Sequence, residues 1–199
     1  MKIALVSPYD WLTPGGVNNH IEQLADRFIE YGHEALILAP ASEEVDDSRV
    51  QVLGRPTPVP ASGSMARIAL SPRLGRRVSR VLQEHNFDVV HVHEPLMPAL
   101  PIQVLRGSKK ANPSVVNVGT FHATKDGGNR LYSYGRRLLK RWFRELDGKI
   151  AVSPPAGRYV GRYFPGFYNI IPNGIDIERF ADPRLEPLPE FDDEQITIL

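Results

Sequence analysis

Short unbroken apolar runs alternate along the chain with segments whose apolar residues recur every three to four positions. Residues 3–6 are apolar at every position, the pattern of a strand covered on both faces. A Pro/Gly loop follows, from Pro8 to Gly16. Ile21, Leu24, Ala25, Phe28 and Ile29 then recur at helical spacing, and Gly32 stops the helix. The same reasoning predicts strands at 35–38, 50–53, 89–92, 115–118, 150–152 and 168–171. Helices are predicted at 71–85, 96–105, 130–146 and 153–163. Ser71 reads as an N-cap with Pro72 at the first helical position, and Ser153 as the cap of the last helix. Residues 54–70, rich in Pro, Gly and Ser, read as a long loop. Strand and helix alternate throughout, which predicts an α/β fold: a Rossmann-like parallel sheet with helices on both faces. No internal repeat is visible.

After Phe180 the texture changes to several prolines and a run of acids, followed by the apolar segment 196–199. The expected division is an N-terminal domain at 1–180, then a linker and the first strand of a second domain at 181–199. On that expectation the chain is a fragment; the alternative is an ordinary last strand closing the sheet.

Composition narrows the function classes. The chain has 199 residues, of which 42% are hydrophobic, enough for a real core. Lys and Arg number 24 against 23 Asp and Glu, which argues against overall disorder and against a generally basic nucleic-acid binder. Cysteine is absent, so disulfides and thiolate metal sites are impossible, consistent with a reducing compartment. No apolar stretch approaches the roughly 20 residues of a membrane span. The apolar run at the N-terminus is too short for a signal peptide and reads as a first strand.

In such folds ligands sit at the carboxyl ends of the strands. The first strand leads to Tyr9 and then to Gly15 and Gly16 just before a helix. Adjacent glycines there suit close approach of an anion such as phosphate, or simply a tight turn. This is not the dinucleotide fingerprint, because the third glycine is missing and the second strand ends without an acid. His122 follows another strand end, beside a polar Gly-rich loop containing Lys125; it reads as a hydrogen-bonding or proton-handling group, or as a solvated loop residue. His91 and His93 share one face of a strand. With Glu94 they could suggest a metal site, but no third ligand is evident, and packed or hydrogen-bonded histidines in the cleft are the stronger expectation. Arg73, Arg76, Arg77 and Arg80 line one side of the 71–85 helix, with Leu74, Val78, Val81 and Leu82 on another. That pattern suits an anionic membrane surface, or a sheet-packing helix with a solvated basic side. The 130–146 helix repeats it, with Leu131, Tyr134, Leu138, Trp142 and Leu146 expected to face the core.

Several stretches together resemble the N-terminal domain of the two-domain (GT-B) glycosyltransferases of family 4, most closely the bacterial phosphatidylinositol mannosyltransferases. They are Ser7-Pro8-Tyr9 with Pro14-Gly15-Gly16-Val17, Gly32-His33-Glu34, Leu38-Ala39-Pro40-Ala41-Ser42, Gly63-Ser64-Met65-Ala66-Arg67, and Phe87 through Pro95. Thr120-Phe121-His122, Ile150-Ala151-Val152-Ser153 and Ile171 through Asp176 complete the set. The resemblance implies retaining transfer of a hexosyl group, expected to be mannosyl, in a cleft between two Rossmann-like domains. The donor would be a nucleotide sugar, GDP-mannose or a UDP-sugar, and the acceptor a lipid or glycan. Gly15 and Gly16 would lie on the donor diphosphate and His122 beside the transferred sugar. Tyr9, Arg67 and Lys125 would be on the acceptor side. Arg73, Arg76, Arg77 and Arg80 would lie on anionic lipid, so the implied location is cytoplasmic and peripheral on the inner face of the membrane. No metal, permanent cofactor or nucleic acid is implied. The chain departs from the lipid mannosyltransferases at Ala123, where they usually carry a hydroxyl residue, and in the 125–129 segment. A non-catalytic anionic-lipid or glycan binding module and a sugar-nucleotide epimerase are the alternatives.

Overall fold

The computed structural model describes residues 1–61, 64–69, 71, 73–124, 128–177, 181 and 184. Among them, strands and helices follow in the order β1 (Lys2–Val6), α1 (Gly16–Glu30), β2 (Glu34–Ala39), β3 (Val50–Val52), β4 (Pro56–Ala61), β5 (Ser64–Ala69), α2 (Leu74–His85) and β6 (Val89–His93). α3 (Leu100–Ala111), β7 (Val116–Phe121), α4 (Arg130–Phe143), β8 (Gly148–Ala151), α5 (Pro154–Gly161) and β9 (Asn169–Ile170) complete it. Seven strands form one parallel sheet in the order β3-β2-β1-β6-β7-β8-β9. β1 and β6 are its centre, which is why residues 3–6 read as an apolar run and Val90 and Val92 are fully buried.

Alternate residues of those strands serve two cores. Ile3, Leu5 and Ile37 pack under α1 with Ile21 and Ala25. Ala4, Val6, Leu38, Val90 and Val92 face the layer containing α2, α3 and α4. Helices therefore cover both faces, as the alternating pattern predicts.

The 54–70 segment differs from expectation. It is not one long loop: β4 and β5 pair antiparallel, with Thr57 opposite Ile68 and Pro58 opposite Arg67. Prolines at 56, 58 and 60 fall with period two, so every missing N–H lies on the same edge of the strand and the residues between supply the ladder. Gly54, at φ +99°, turns the chain into this hairpin.

Helix boundaries also move. α2 begins at Leu74, and Ser71 organises the turn before it, accepting Arg73 N at Oγ (3.3 Å) and Leu74 N at its carbonyl (3.0 Å). Pro72 lies outside the described residues. α3 starts at Leu100, with Pro101 in its first turn, and continues past the expected end at 105. Gly107 does not stop it: a Cβ there would come within 2.9 Å of Leu82 Cδ1, so this glycine lets α2 and α3 approach. β7 runs on through Gly119 to Phe121, past the strand end expected at 118; a Cβ at Gly119 would meet Leu146 at 2.8 Å.

α4 turns a different side to the core from the one its periodicity suggests. Tyr132, Leu139 and Phe143 are buried, against aromatic rings from α5 and Phe164. Tyr134 is 88% exposed, Leu138 67% and Leu131 43%. Leu146, just past the helix, is buried as expected and Trp142 packs half-buried against the core, so the expected stripe is exposed only at 131, 134 and 138. The expected linker and strand at 181–199 lie almost wholly outside the described residues.

Candidate active site at the carboxyl edge

The β1–α1 loop is held by side chains rather than by apolar packing. Ser7 Oγ donates to Asn18 Oδ1 (2.7 Å) and accepts Tyr9 N (3.2 Å). Asn18 Nδ2 donates to the carbonyls of Asp10 (2.9 Å) and Thr13 (3.3 Å). The buried Asp10 carboxylate accepts Ser42 N (3.0 Å) and Thr13 Oγ1 (3.2 Å), and lies 3.5 Å from the Arg67 guanidinium. Tyr9, Asp10 and Arg67 are thus brought to one place, the last two joined also through Asp10 N and the Arg67 carbonyl.

The loop delivers an open helix end. Gly15 is the N-cap of α1, with no side-chain cap and no acid in the first turn. A Cβ on Gly16 would meet nothing within 4 Å, so packing does not demand a glycine there. Its smallness keeps the space before the first-turn N–H groups clear, where helix ends attract anions.

Facing this end is a group of four imidazoles. His91 and His93 point from β6 to the α1 side of the sheet. His91 Nε2 shares a hydrogen bond with Thr120 Oγ1 (2.7 Å), and His93 Nδ1 with His122 Nε2 (2.9 Å). The His91 and His93 rings stack at 4.4 Å. His20, one turn along α1 from Gly16, sets its ring edge-on to both His93 and His122 at 5.6 Å. Burial, reinforced by the neighbouring rings, pushes His91 down to about 3 and His122 to about 4, and holds His93 well below the usual histidine range. Burial lowers His20 too. The group is uncharged at neutral pH.

Glu94 fixes the strand end that carries His122. It takes a left-handed turn at φ +47°, is buried, and its Oε1 accepts the backbone N–H of His122 and of Ala123 at 2.7 Å each. Burial raises its pKa, against the pull of those two N–H groups. Burial and the nearby Glu94 carboxylate push the Tyr9 hydroxyl up, so Tyr9 stays protonated.

The structure therefore gathers Tyr9, Gly15, Gly16, Arg67, His91, His93 and His122 at one edge. Lys125 lies outside the described residues, as does Gly63. Arg73, the N-cap of α2, and Arg76, Arg77 and Arg80 on that helix are exposed. The sequence pattern does not single out His20, whose apolar neighbours mark the buried face of the helix; its place one turn after Gly16 is the available signal. His20 also lines a cavity of about 530 Å³ between α1 and Gly174, Ile175 and Asp176. Among the described residues no three metal-ligating side chains are arranged to hold an ion. The arrangement can donate hydrogen bonds and helix-end N–H groups to an oxygen-rich ligand. Among the described residues the carboxylate beside His122 is that of Glu94, whose Oε1 is taken by two backbone N–H groups.

The sequence matches Glycosyltransferase Family 4 over residues 14–179. The chain is 37% identical over 191 residues to the phosphatidyl-myo-inositol mannosyltransferase of Mycolicibacterium smegmatis, covering 95% of this chain and 48% of that protein. It is 31% identical over 185 residues to the protein of the same name from Propionibacterium freudenreichii, covering 89% and 47%. Among solved structures it is similar in fold to an alpha-glucosyltransferase in complex with UDP-glucose and DNA containing an abasic site, with TM-score 0.58 and 15% identity over 94% of this chain and 46% of that one. The chain spans about half the length of the curated relatives it matches. It belongs to glycosyltransferase family 4.

Proposed function

We propose that this chain is the acceptor-side domain, residues 1–180, of a retaining glycosyltransferase that moves a hexosyl group, mannosyl by its kinship, from a nucleotide sugar to a lipid or glycan acceptor of the phosphatidylinositol kind. Residues 181–199 would lead into a donor-binding domain. The observation that carries this reading is the edge-on contact of His122 with the ring of His20, which lies one turn along α1 from the uncapped helix end at Gly16. In retaining transfer without a covalent intermediate the departing diphosphate gains charge. First-turn N–H groups at Gly15 and Gly16 are suited to meet that charge, and His122 to contact the sugar. Tyr9, Arg67 and Lys125 would contact the acceptor.

The acceptor's own surface would be read by α2 and α4. Arg73, Arg76, Arg77 and Arg80 are exposed, and residues 130–144 contain six Arg or Lys and no acid. Leu131, Tyr134 and Leu138 stand exposed among those cations, an apolar and basic face that complements anionic lipid. That face would let the protein associate peripherally with the cytoplasmic leaflet; no described helix is long and apolar enough to cross a membrane.

The deciding experiment is a donor screen with the whole protein, GDP-mannose and UDP-sugars against lipid acceptors, with mass analysis of products. A hexosylated lipid supports the proposal. Vesicle binding without any transfer would favour a lipid-binding module instead.

A further inference from the structure

His93 is sealed from solvent, and its Nε2 is buried with no hydrogen-bond partner among the described residues. Its other ring nitrogen, Nδ1, is the atom that meets His122 Nε2 at 2.9 Å. A neutral imidazole carries one proton, on one nitrogen or the other. Burial keeps both rings neutral. Two arrangements then satisfy the contact. If His122 Nε2–H donates, the proton of His93 must sit on Nε2, as a buried N–H with no acceptor. If His93 Nδ1–H donates, His93 Nε2 keeps a bare lone pair. An orphaned buried N–H is the rarer defect in proteins and an unmet acceptor the more tolerable one. The stacked His91 ring covers a face of His93 and offers nothing in its plane.

We infer that His93 is a positioning residue that donates from Nδ1 to His122 Nε2, and so holds His122 with its own proton on Nδ1, as a hydrogen-bond donor to the ligand and not as a base. Glu94 completes the constraint by accepting the His122 backbone N–H. No hydrogen bond among the described residues uses His122 Nδ1, so that N–H is the one polar group of the ring left for a bound molecule. A donor suits an oxygen that gains negative charge, on a sugar or a diphosphate. The identity of that ligand rests on the proposed transferase reading; the proton placement does not.

Long-range proton–nitrogen spectra of the 15N-histidine-labelled protein at neutral pH report which ring nitrogen is protonated, with no substrate needed. The expected result is Nδ1–H for both His93 and His122. In His93→Asn the side-chain amide offers an Nδ2–H in place of Nδ1–H as well as an Oδ1 acceptor, and His122 is expected to stay Nδ1–H with Nδ2 as the donor. In His93→Asp a carboxylate takes that place, and the His122 proton moves to Nε2 or the ring gains a second proton. Nε2–H on His122 in the unmodified protein overturns the inference, as does an unchanged His122 in a folded His93→Asp. Where the aspartate variant does not fold, the unmodified protein and His93→Asn carry the test. In the whole protein, His93→Asp should lower turnover by about 10²-fold, and by more than His93→Asn does. If no nucleotide sugar supports transfer at all, the function proposal fails while the spectra still decide the proton.

Discussion

The histidine end of the sheet and the outer sides of α2 and α4 obey opposite rules. At the histidine end nearly every polar group has a fixed partner: Ser7 with Asn18, His91 with Thr120, His93 with His122, Glu94 with two backbone N–H groups. On α2 and α4 the cations are exposed, and none of them forms an ion pair among the described residues; Arg141 only lies over its neighbour Trp142. The first region is pre-organised and tolerates little. The second is adaptable, as a surface for a fluid, charged partner would be. Interior site and exterior basic face should therefore respond differently to mutation, pH and salt.

The largest expected effect lies at the site. In the whole protein, His122→Ala should lower turnover by about 10²-fold, because a preorganised donor near developing charge is lost. Its thermal midpoint should stay close to that of the unmodified protein, since the residue follows the end of β7 on a partly exposed loop. Turnover like the unmodified protein's would mean that His122 is an ordinary packed histidine. The matching experiment outside is reversal of Arg76, Arg77 and Arg80 to Glu. Each cation near an anionic surface contributes about 1 kcal/mol, so sedimentation with anionic vesicles should disappear while the fold persists. Binding that survives, or that ignores salt, would leave α2 merely solvated.

Acid separates the regions next. The buried rings protonate near 6.5 in the unfolded chain, but only near 4 at His122 and near 3 at His91 in the folded one. The unfolded state therefore binds more protons across that window, and stability falls as pH drops from about 6.5 toward 3. Urea midpoints measured down a pH series should decline. His91→Gln, whose amide reaches the Nε2 position beside Thr120, should flatten the decline. The same slope in that variant would remove His91 as a cause. Vesicle binding through the guanidinium groups of α2 should not follow that decline.

Two glycines sharpen the contrast within the site. Gly16→Ala adds a methyl to open space, so stability should hold while donor binding and turnover fall. Gly119→Ala drives a methyl into Leu146 and Pro95, an overpacking that should destabilise by about 1–3 kcal/mol. Thermal melts of both beside turnover separate the roles. A destabilised Gly16→Ala with unchanged turnover would make that glycine structural.

What could be read from the sequence follows the range of the forces involved. Residues 3–6 declared themselves as a strand because burial on both faces leaves an unbroken apolar run, and 89–92 because valines flank a single histidine. Gly16 and His122 were legible because strand ends mark the ligand edge of parallel sheets. His91 and His93 shared a face by strand period alone. The β4–β5 hairpin was hidden, since its prolines signal a loop unless their period of two is set against an unpaired edge. The bond from His93 to His122, the ring of His20 and the acceptor role of Glu94 are tertiary contacts, which no local pattern encodes. α4 misled for a related reason. Periodicity displays two apolar stripes, and only the neighbouring α5 decides which is covered.

That choice of stripe yields the smallest and most discriminating effect. Leu138 and Leu139 are adjacent, 67% and 3% exposed. Leu139→Ala removes a core side chain and should cost about 2–5 kcal/mol of stability. Leu138→Ser should leave stability within about 0.5 kcal/mol, as surface changes usually do. If α4 rests on lipid, the Leu138 side chain is partly withdrawn from water there, and its loss should weaken vesicle affinity by several-fold, equivalent to about 1 kcal/mol of buried apolar area. Titration of the two variants with anionic and with neutral vesicles reads this directly. The loss should persist at high salt, where the arginine contribution is screened, because apolar burial is not. A Leu138→Ser protein that binds anionic vesicles as the unmodified one does would confine the lipid surface to α2 and leave the exposed stripe of α4 to another partner.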